Sequence, residues 1–269
     1  MPDKQAVYTH GHHESVLRSH RWRTAENSAA YLLPHLRPGM TLLDVGAGPG
    51  TITADLAARV APGRVTAVEV TADALALARA EAAARGQDNI DFVVADVHAL
   101  DFPDASFDVV HAHQVLQHVA DPVQALREMR RVCRPGGVVA ARDSDYAGFT
   151  WHPRLPELDE WMALYQKVAR NNGGEPDAGT HLYSWARAAG FTDITPSAAA
   201  WCFAGPRDRT WWGEMWAERV LNSDMAAQAV ASAAATPEDL HRLSTAWRTW
   251  STTPDASLLI PHGEILCRR

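Results

Sequence analysis

The chain has 269 residues, 46% of them hydrophobic, and a formal net charge of −7. This length allows one large α/β domain or a domain with an inserted cap, and the charge disfavours a nucleic-acid partner bound through a broad basic surface. No run of about 18 apolar residues occurs, so we expect no membrane span. The three cysteines lack paired spacing and the first residues lack a signal-peptide pattern, so we expect reduced thiols and a cytoplasmic protein.

Strands and helices alternate on short loops through the first 150 residues. Thr24 is the predicted cap of a helix over 25–36, and Pro38-Gly39 separates this helix from the first strand. The predicted strands are 41–45, 64–70, 90–95, 107–112 and 138–142, and helices run from 51 to Pro62, over 72–85 and over 122–133. This alternation predicts a doubly wound parallel sheet, whose strands present their carboxyl ends at one ligand-binding edge.

The rest of the chain is rich in aromatic residues. Nine of the ten tryptophans follow residue 150. Two interpretations fit this shift: recognition of an apolar or planar molecule, or simply a bulkier helical core. The predicted helices here are 155–170, 182–189, 208–234 and 237–250, followed or interrupted by a strand over 193–204 and a terminal strand or hairpin over 257–269.

The first strand runs into an acid and three glycines at alternate positions, and a helix follows at Thr51. The acid is Asp44, and the glycines are Gly46, Gly48 and Gly50. Glycines let the backbone approach a ligand closely and accept positive φ. The spacing differs from the Gly-x-Gly-x-x-Gly of dinucleotide-binding folds. It resembles the glycine loop of class I S-adenosylmethionine (SAM) methyltransferases.

Two further acids close the next two predicted strands. Glu69 follows the second strand, where a carboxylate would accept hydrogen bonds from the ribose hydroxyls of SAM. Asp96 follows the third strand and would accept from the adenine amine, with Val70 and Val97 enclosing the ring. Asp44, Glu69 and Asp96 thus end three successive predicted strands, which argues against a chance arrangement.

The stretches Phe107–Val119 and 134–137 (Arg-Pro-Gly-Gly) resemble small-molecule methyltransferases of the ubiquinone/menaquinone-biosynthesis (UbiE-like) type. The resemblance covers about residues 40–145. It implies a Rossmann-like class I methyltransferase fold: a mostly parallel seven-stranded sheet, helices on both faces and an inserted helical lid. It also implies SAM as cofactor, with S-adenosylhomocysteine (SAH) as product.

The same resemblance places more residues around the donor. His113 and Gln114 would line the donor site under the sulfonium, and His118 would face the acceptor. Tyr8 and Arg23 would reach the SAM carboxylate from an N-terminal segment that folds over the cofactor.

Catalysis and acceptor binding have fewer sequence signals. The predicted catalytic residues are His113, His118 and Asp145, of which Asp145 or a histidine would take a proton from the acceptor. The predicted substrate-binding residues are Tyr146, Trp151, Trp201 and Trp212, with Trp211 and Trp216 as further aromatic wall residues. His111 and His113 share one face of a strand, and Asp143 and Asp145 could offer oxygen ligands, but no family-like ligand spacing accompanies them, and we expect no metal.

We therefore expect methyl transfer to a small, partly apolar acceptor, such as a quinone precursor or a secondary metabolite. The predicted division is an N-terminal cap segment and helix (1–38), a SAM-binding core (39–150), and a helical substrate lid with the last sheet strands (151–269). The Asn/Asp-Pro-Pro-Tyr/Phe tetrapeptide of base-modifying methyltransferases is absent, which again disfavours nucleic acid. The alternatives are an aminopropyl transferase, a SAM-assisted cyclase or a non-catalytic SAM-binding protein, and a homodimer is left open.

Overall fold

The computed structural model describes Thr9 and residues 13–269. Within them, one sheet contains eight strands, numbered in chain order: β1 (Leu42–Val45), β2 (Val65–Glu69), β3 (Ile90–Val94), β4 (Phe107–His113), β5 (Cys133–Ser144), β6 (Thr150–His152), β7 (Asp193–Phe203) and β8 (Ser257–Arg268). Their order is β3-β2-β1-β4-β5-β8-β6, and β7 also pairs with β8. Strands β1 to β5 are parallel, and β8 runs antiparallel to its three neighbours.

Ten α-helices of the described residues surround this sheet: α1 (Glu14–Arg21), α2 (Ala25–Ser28), α3 (Thr51–Val60), α4 (Ala72–Ala84), α5 (Pro122–Val132), α6 (Pro156–Asn171), α7 (Ala178–Ala188), α8 (Pro206–Asn222), α9 (Asp224–Ala231) and α10 (Pro237–Thr252). Successive strand residues point to opposite faces, so Leu42 packs into the core under α3 and Leu43 into the core under α5 and α7. The predicted doubly wound sheet with helices on both faces is confirmed. None of the helices in the described part combines the length and apolarity of a membrane-spanning segment.

The sheet has one strand more than predicted. Of the two predicted alternatives for the terminal segment, the single strand is confirmed: β8 lies between β5 and β7. Its first residues extend past the end of β5, and the three-residue strand β6 pairs with that free edge. The strand that was not predicted is therefore β6, which has only three residues and pairs with the part of β8 that extends past β5.

Several helix and strand boundaries differ from prediction, among them the start of α7, at Ala178 instead of 182. The helix expected over 25–36 ends at Ser28, and only a 3₁₀ turn at Leu33–His35 follows; Pro34, inside this turn, has no N–H with which to continue an α-helix. The helix expected over 208–234 is divided at Ser223, whose backbone is extended. Strand β5 begins at Cys133 instead of 138, with a register shift opposite Phe107 and Val109.

The aromatic second half builds its own core. Trp161, Trp247 and Trp250 are completely buried in a cluster formed largely by α6, α8 and α10. Trp161 meets Trp247 edge to face with ring centroids 4.8 Å apart, a favoured geometry for aromatic pairs. These three tryptophans confirm the bulkier-core interpretation for part of the set.

Candidate active site

A cavity of about 720 Å³ opens at the carboxyl ends of β1, β2, β3 and β4. One end is lined by the glycine loop and the residues that follow β2 and β3. The other end is lined by aromatic side chains from the second half of the chain, chiefly Tyr146, Phe149, Trp201, Trp212 and Trp216. We call these the donor end and the aromatic end.

The three loop glycines have different surroundings. Gly46 and Gly48 line the cavity. A Cβ built on Gly48 (φ +55°) would meet nothing within 4 Å, so a side chain there would project into open space. Gly50 (φ +84°) does not line the cavity; its Cβ would lie 2.8 Å from the Ala78 Cα in α4. The missing side chain of Gly50 therefore allows α3 and α4 to pack closely, instead of allowing the ligand approach predicted for it.

Glu69 joins the end of β2 to the glycine loop. Its carboxylate accepts hydrogen bonds from the Gly48 N–H at 2.8 Å and from the Val70 N–H at 3.2 Å. Glu69 also lines the cavity. Each carboxylate oxygen has more than one acceptor site, so the side chain can hold the loop and still accept from a ligand.

A second carboxylate and two valines form the far side of the donor end. Asp96 accepts hydrogen bonds from the backbone N–H and the Nδ1 of His98, at 2.9 and 2.7 Å. Partial burial opposes ionisation of Asp96, but these bonds outweigh it and lower its pKa. Val70 lines the same space with 66% of its surface exposed, whereas Val97 is buried. An exposed apolar side chain at a cavity wall suits a planar apolar ligand.

Asp44 lies deeper than its position in the loop motif suggests. It is 3% exposed and accepts a hydrogen bond from Thr53 Oγ1 at 2.6 Å. Its other oxygen lies 2.7 Å from the Nδ1 of His111, a residue of β4 that is its register partner. Both residues line the cavity.

His113, at the end of β4, lies where the donor and aromatic ends meet. It is 6% exposed, and neither ring nitrogen has a hydrogen-bond partner among the described residues. Burial, followed by the charges of Arg142 and Arg23, holds its pKa well below the usual range. The ring is therefore neutral and offers one donor and one acceptor.

A hydrogen-bonded network begins at Gln114, the residue after His113, and extends into the second half of the chain. Gln114 Nε2 donates to Ser144 Oγ and to His262 Nε2, each at 3.0 Å. His262 Nδ1 faces the Ile260 carbonyl at 3.0 Å and so carries the hydrogen. His118 accepts from Gln117 Nε2 at 3.0 Å, and burial with the Arg23 charge lowers its pKa to about 3.

The aromatic end brings together three of the four predicted substrate-binding residues. Tyr146, Trp201 and Trp212 line the cavity. Tyr146 stacks between Phe149 and Tyr165, with centroid distances of 4.5 and 4.0 Å. These stacked rings give the aromatic end, which we also call the aromatic chamber, a rigid and largely apolar wall.

Besides Gly50, two predicted site residues lie away from the cavity. Asp145 caps the short 3₁₀ turn at Tyr146–Gly148 by accepting from the Gly148 N–H at 3.2 Å. Trp151, on β6, is 4% exposed and packs edge to face against Trp161 in the core. Neither is among the described residues that line the cavity. Tyr8 lies outside the described residues.

Helix α1 and the residues after it close one side of the cavity. Leu17, Ser19, His20 and Arg23 line it. Arg219 of α8, which also lines the cavity, donates to the Ser15 carbonyl at 2.9 Å and to Ser19 Oγ at 2.6 Å. Arg23 lies over the Trp201 ring, 5.6 Å from its centroid. Arg23 therefore lies beside the aromatic end, and its contact with the SAM carboxylate stays a prediction.

Sequence reasoning missed several residues of this cavity. Arg219, His20 and Phe149 sit on helices or turns with no distinctive local pattern, and His262 reaches the Gln114 network from a strand 148 residues away along the chain. His111 was noted only as a potential metal ligand. No group of three or more histidine, cysteine or acidic side chains among the described residues is arranged to hold a metal ion.

The family model for a methyltransferase domain matches residues 43–141. An uncharacterized methyltransferase of Schizosaccharomyces pombe is 34% identical over 281 residues, which cover 100% of this chain and 98% of that protein. The chain belongs to the methyltransferase family. As a methyltransferase it uses SAM as its cofactor, and the predicted class I, UbiE-like relationship is confirmed.

Two further comparisons concern a relative that is similar over part of its sequence and a solved structure with a similar fold. The ubiquinone/menaquinone biosynthesis C-methyltransferase UbiE of Hahella chejuensis is 43% identical over 104 residues, covering 38% of this chain and 42% of that protein. Among solved structures, the YcgJ protein of Bacillus subtilis has a TM-score of 0.60 at 19% identity, covering 91% of this chain and 99% of that one. The first match is confined to part of each chain, and the second supports the fold alone.

Proposed function

We propose that this methyltransferase transfers a methyl group from SAM to a small, partly apolar acceptor, a quinone precursor or a secondary metabolite, bound at the aromatic end of the cavity. One observation carries the proposal: a single cavity joins the donor end to an aromatic chamber, with His113 at the junction. A donor and an acceptor held in one enclosed space can meet without leaving it.

The residues of the donor end fit SAM. The open space beyond Gly48 admits a ligand against the loop backbone, and the Glu69 carboxylate offers acceptors to a ribose diol. The Val70 surface and the Asp96 carboxylate offer a flat apolar wall and an acceptor for an adenine amine. When bound, SAM supplies a methyl group activated by its positive sulfur.

The histidines beside the aromatic end are better suited to positioning the acceptor than to holding a proton taken from it. Since the pKa values of His113 and His118 are lowered, neither ring holds a proton well near neutral pH. We propose that His113 instead orients an acceptor hydroxyl or enol through a hydrogen bond. Holding reactants in line can contribute ~7–11 kcal/mol to lowering a barrier in favourable cases, and this is the main contribution that we assign to the protein.

We propose that α8, which contributes Trp212, Trp216 and Arg219 to the cavity wall, shapes the acceptor site, with α6 and α10 packed behind it as the predicted lid. We also propose that residues 13–24 cover the site, because Arg219 joins α1 to α8 beside the cavity. All three cysteines are free thiols, which supports our proposal of a cytoplasmic protein.

The test is incubation of the purified protein with methyl-labelled SAM and fractionated cell extract. We expect label to move to a low-molecular-weight acceptor of intermediate polarity, and to neither nucleic acid nor protein. A Trp212→Ala variant should lose transfer while its affinity for SAH stays within about twofold, because Trp212 lines only the aromatic end. SAM binding without transfer to any fraction would contradict the proposal and favour the cyclase or non-catalytic alternatives.

A further inference from the structure

A buried carboxylate–imidazole pair lies beneath the glycine loop. Asp44 and His111 face each other across β1 and β4, with Asp44 Oδ1 and His111 Nδ1 2.7 Å apart. Asp44 is 3% exposed and His111 is 0% exposed. Since Thr53 donates to Asp44 Oδ2 at 2.6 Å, both carboxylate oxygens already have partners within the protein.

The pair determines which nitrogen of His111 carries the hydrogen. The Asp44 oxygen, 2.7 Å from Nδ1, accepts its hydrogen, which leaves Nε2 as the nitrogen of His111 that can accept a hydrogen bond. Nε2 is buried and has no hydrogen-bond partner among the described residues, although His111 lines the cavity. A buried acceptor without a donor is unfavourable, so the arrangement favours a ligand that brings a donor to this point.

The strand order indicates which part of SAM lies there. Moving along the sheet from β3 through β2 and β1 to β4, the cavity presents Asp96, Glu69, the glycine loop and then His111. Neighbouring strands are about 4.8 Å apart, so adenine at β3 and ribose at β2 place the methionyl arm toward β4. In that arm the sulfonium has no hydrogen to donate, whereas an ammonium group has three.

We propose that His111 Nε2 accepts a hydrogen bond from the α-ammonium group of SAM, and that Asp44 is a positioning residue that acts through His111. This inference rests on the proposed function. Hydrogen bonding of the second ring nitrogen to a carboxylate fixes the tautomer and strengthens the first nitrogen as an acceptor, as second-shell carboxylates do for histidine ligands elsewhere. The sequence predicts that Asp44 contacts the cofactor; in this proposal it instead acts on the cofactor through His111.

The experiment is calorimetric titration of two ligands that differ only in the amino group: SAH and its desamino analogue, 5′-S-(3-carboxypropyl)-5′-thioadenosine. The decisive variant is His111→Asn, because an Asn amide can still donate to Asp44 while the atom at Nε2 is removed. We expect its SAH affinity to fall about tenfold or more, as for loss of a hydrogen bond to a charged group, with the affinity for the analogue unchanged within about twofold. Asp44→Asn should show the same selectivity, which a purely structural role would not produce.

His98→Asn is the matched control, since His98 lines the cavity at the adenine end and its loss should weaken both ligands equally. Equal losses of both ligands in His111→Asn, or full retention of SAH affinity, would overturn the inference. The wild-type protein tests it even if the variants do not fold: equal affinity for SAH and the analogue would also overturn it. Absence of SAH binding to the wild-type protein would instead refute the proposed function itself.

Discussion

Replacing Glu69 with alanine is the sharpest single perturbation of the proposed donor end. The carboxylate accepts from two backbone N–H groups, at 2.8 Å from Gly48 and 3.2 Å from Val70, and we propose that it also accepts from the ribose diol. Hydrogen bonds to charged groups contribute about 1.5–3 kcal/mol each, but Glu69 is only partly buried, which reduces that figure. We therefore expect SAH binding to weaken by roughly 1–3 kcal/mol, or about 5- to 150-fold in Kd.

Isothermal titration calorimetry with SAH measures this loss directly. Glu238→Ala is a suitable control, because Glu238 is an exposed acid in the first turn of α10 and does not line the cavity. It should bind SAH as the wild-type protein does. Thermal unfolding of both variants separates a binding defect from loss of the fold. Unchanged SAH affinity in a folded Glu69→Ala protein would remove Glu69 from the site.

Three further substitutions and one pH dependence follow from the same geometry. Gly48→Val should abolish SAH binding and leave the protein folded, since its side chain would occupy the cavity; normal affinity in calorimetry would contradict the close-approach argument. Gly50→Ala should instead lower stability, by about 1–3 kcal/mol from overpacking against α4, with a Tm decrease of several degrees, and an unchanged Tm would refute this. His118→Ala should lower turnover more than SAH affinity, and equal effects would assign His118 to the donor end. Because the pKa values of His113 and His118 are lowered, the unfolded chain binds protons that the folded protein does not, so the free energy of unfolding should fall as pH drops from about 6.5 toward 4. Asp143, with a pKa raised to about 7, opposes this trend. Urea unfolding at pH 7 and pH 5 measures the difference, and an unchanged free energy of unfolding would mean that the histidines are solvated.

The parallel half of the fold could be predicted because its signals are local. Thr71 accepts from the Ala74 N–H as the helix cap that its position indicated, and Asp121 with Pro122 begins α5 as expected. Hydrophobic runs between such signals leave little freedom in the order of elements. The break after Ser28 and the short strand β6 have no such local signal. Strand β6 forms through pairing with β8, which lies about 100 residues further along the chain.

The site was predictable where a residue ends a strand and much less so elsewhere. Glu69 and Asp96 reach the cavity because parallel strands present their ends at one edge. Gly50 shares the motif but contacts α4, since the chain has already turned into a helix at that point. The roles of His262 and Arg219 depend on contacts between residues far apart in the chain, which no spacing in one sequence reveals.

The central claim is that SAM lies across the ends of β1, β2, β3 and β4 with its reactive end toward the aromatic chamber. A crystal structure of the protein with SAH bound tests it most directly. We predict adenine between Val70 and Val97, the ribose hydroxyls on Glu69, and the thioether sulfur facing His113 and the space lined by Trp201. SAH bound elsewhere, or bound with its sulfur turned away from that chamber, would contradict the account.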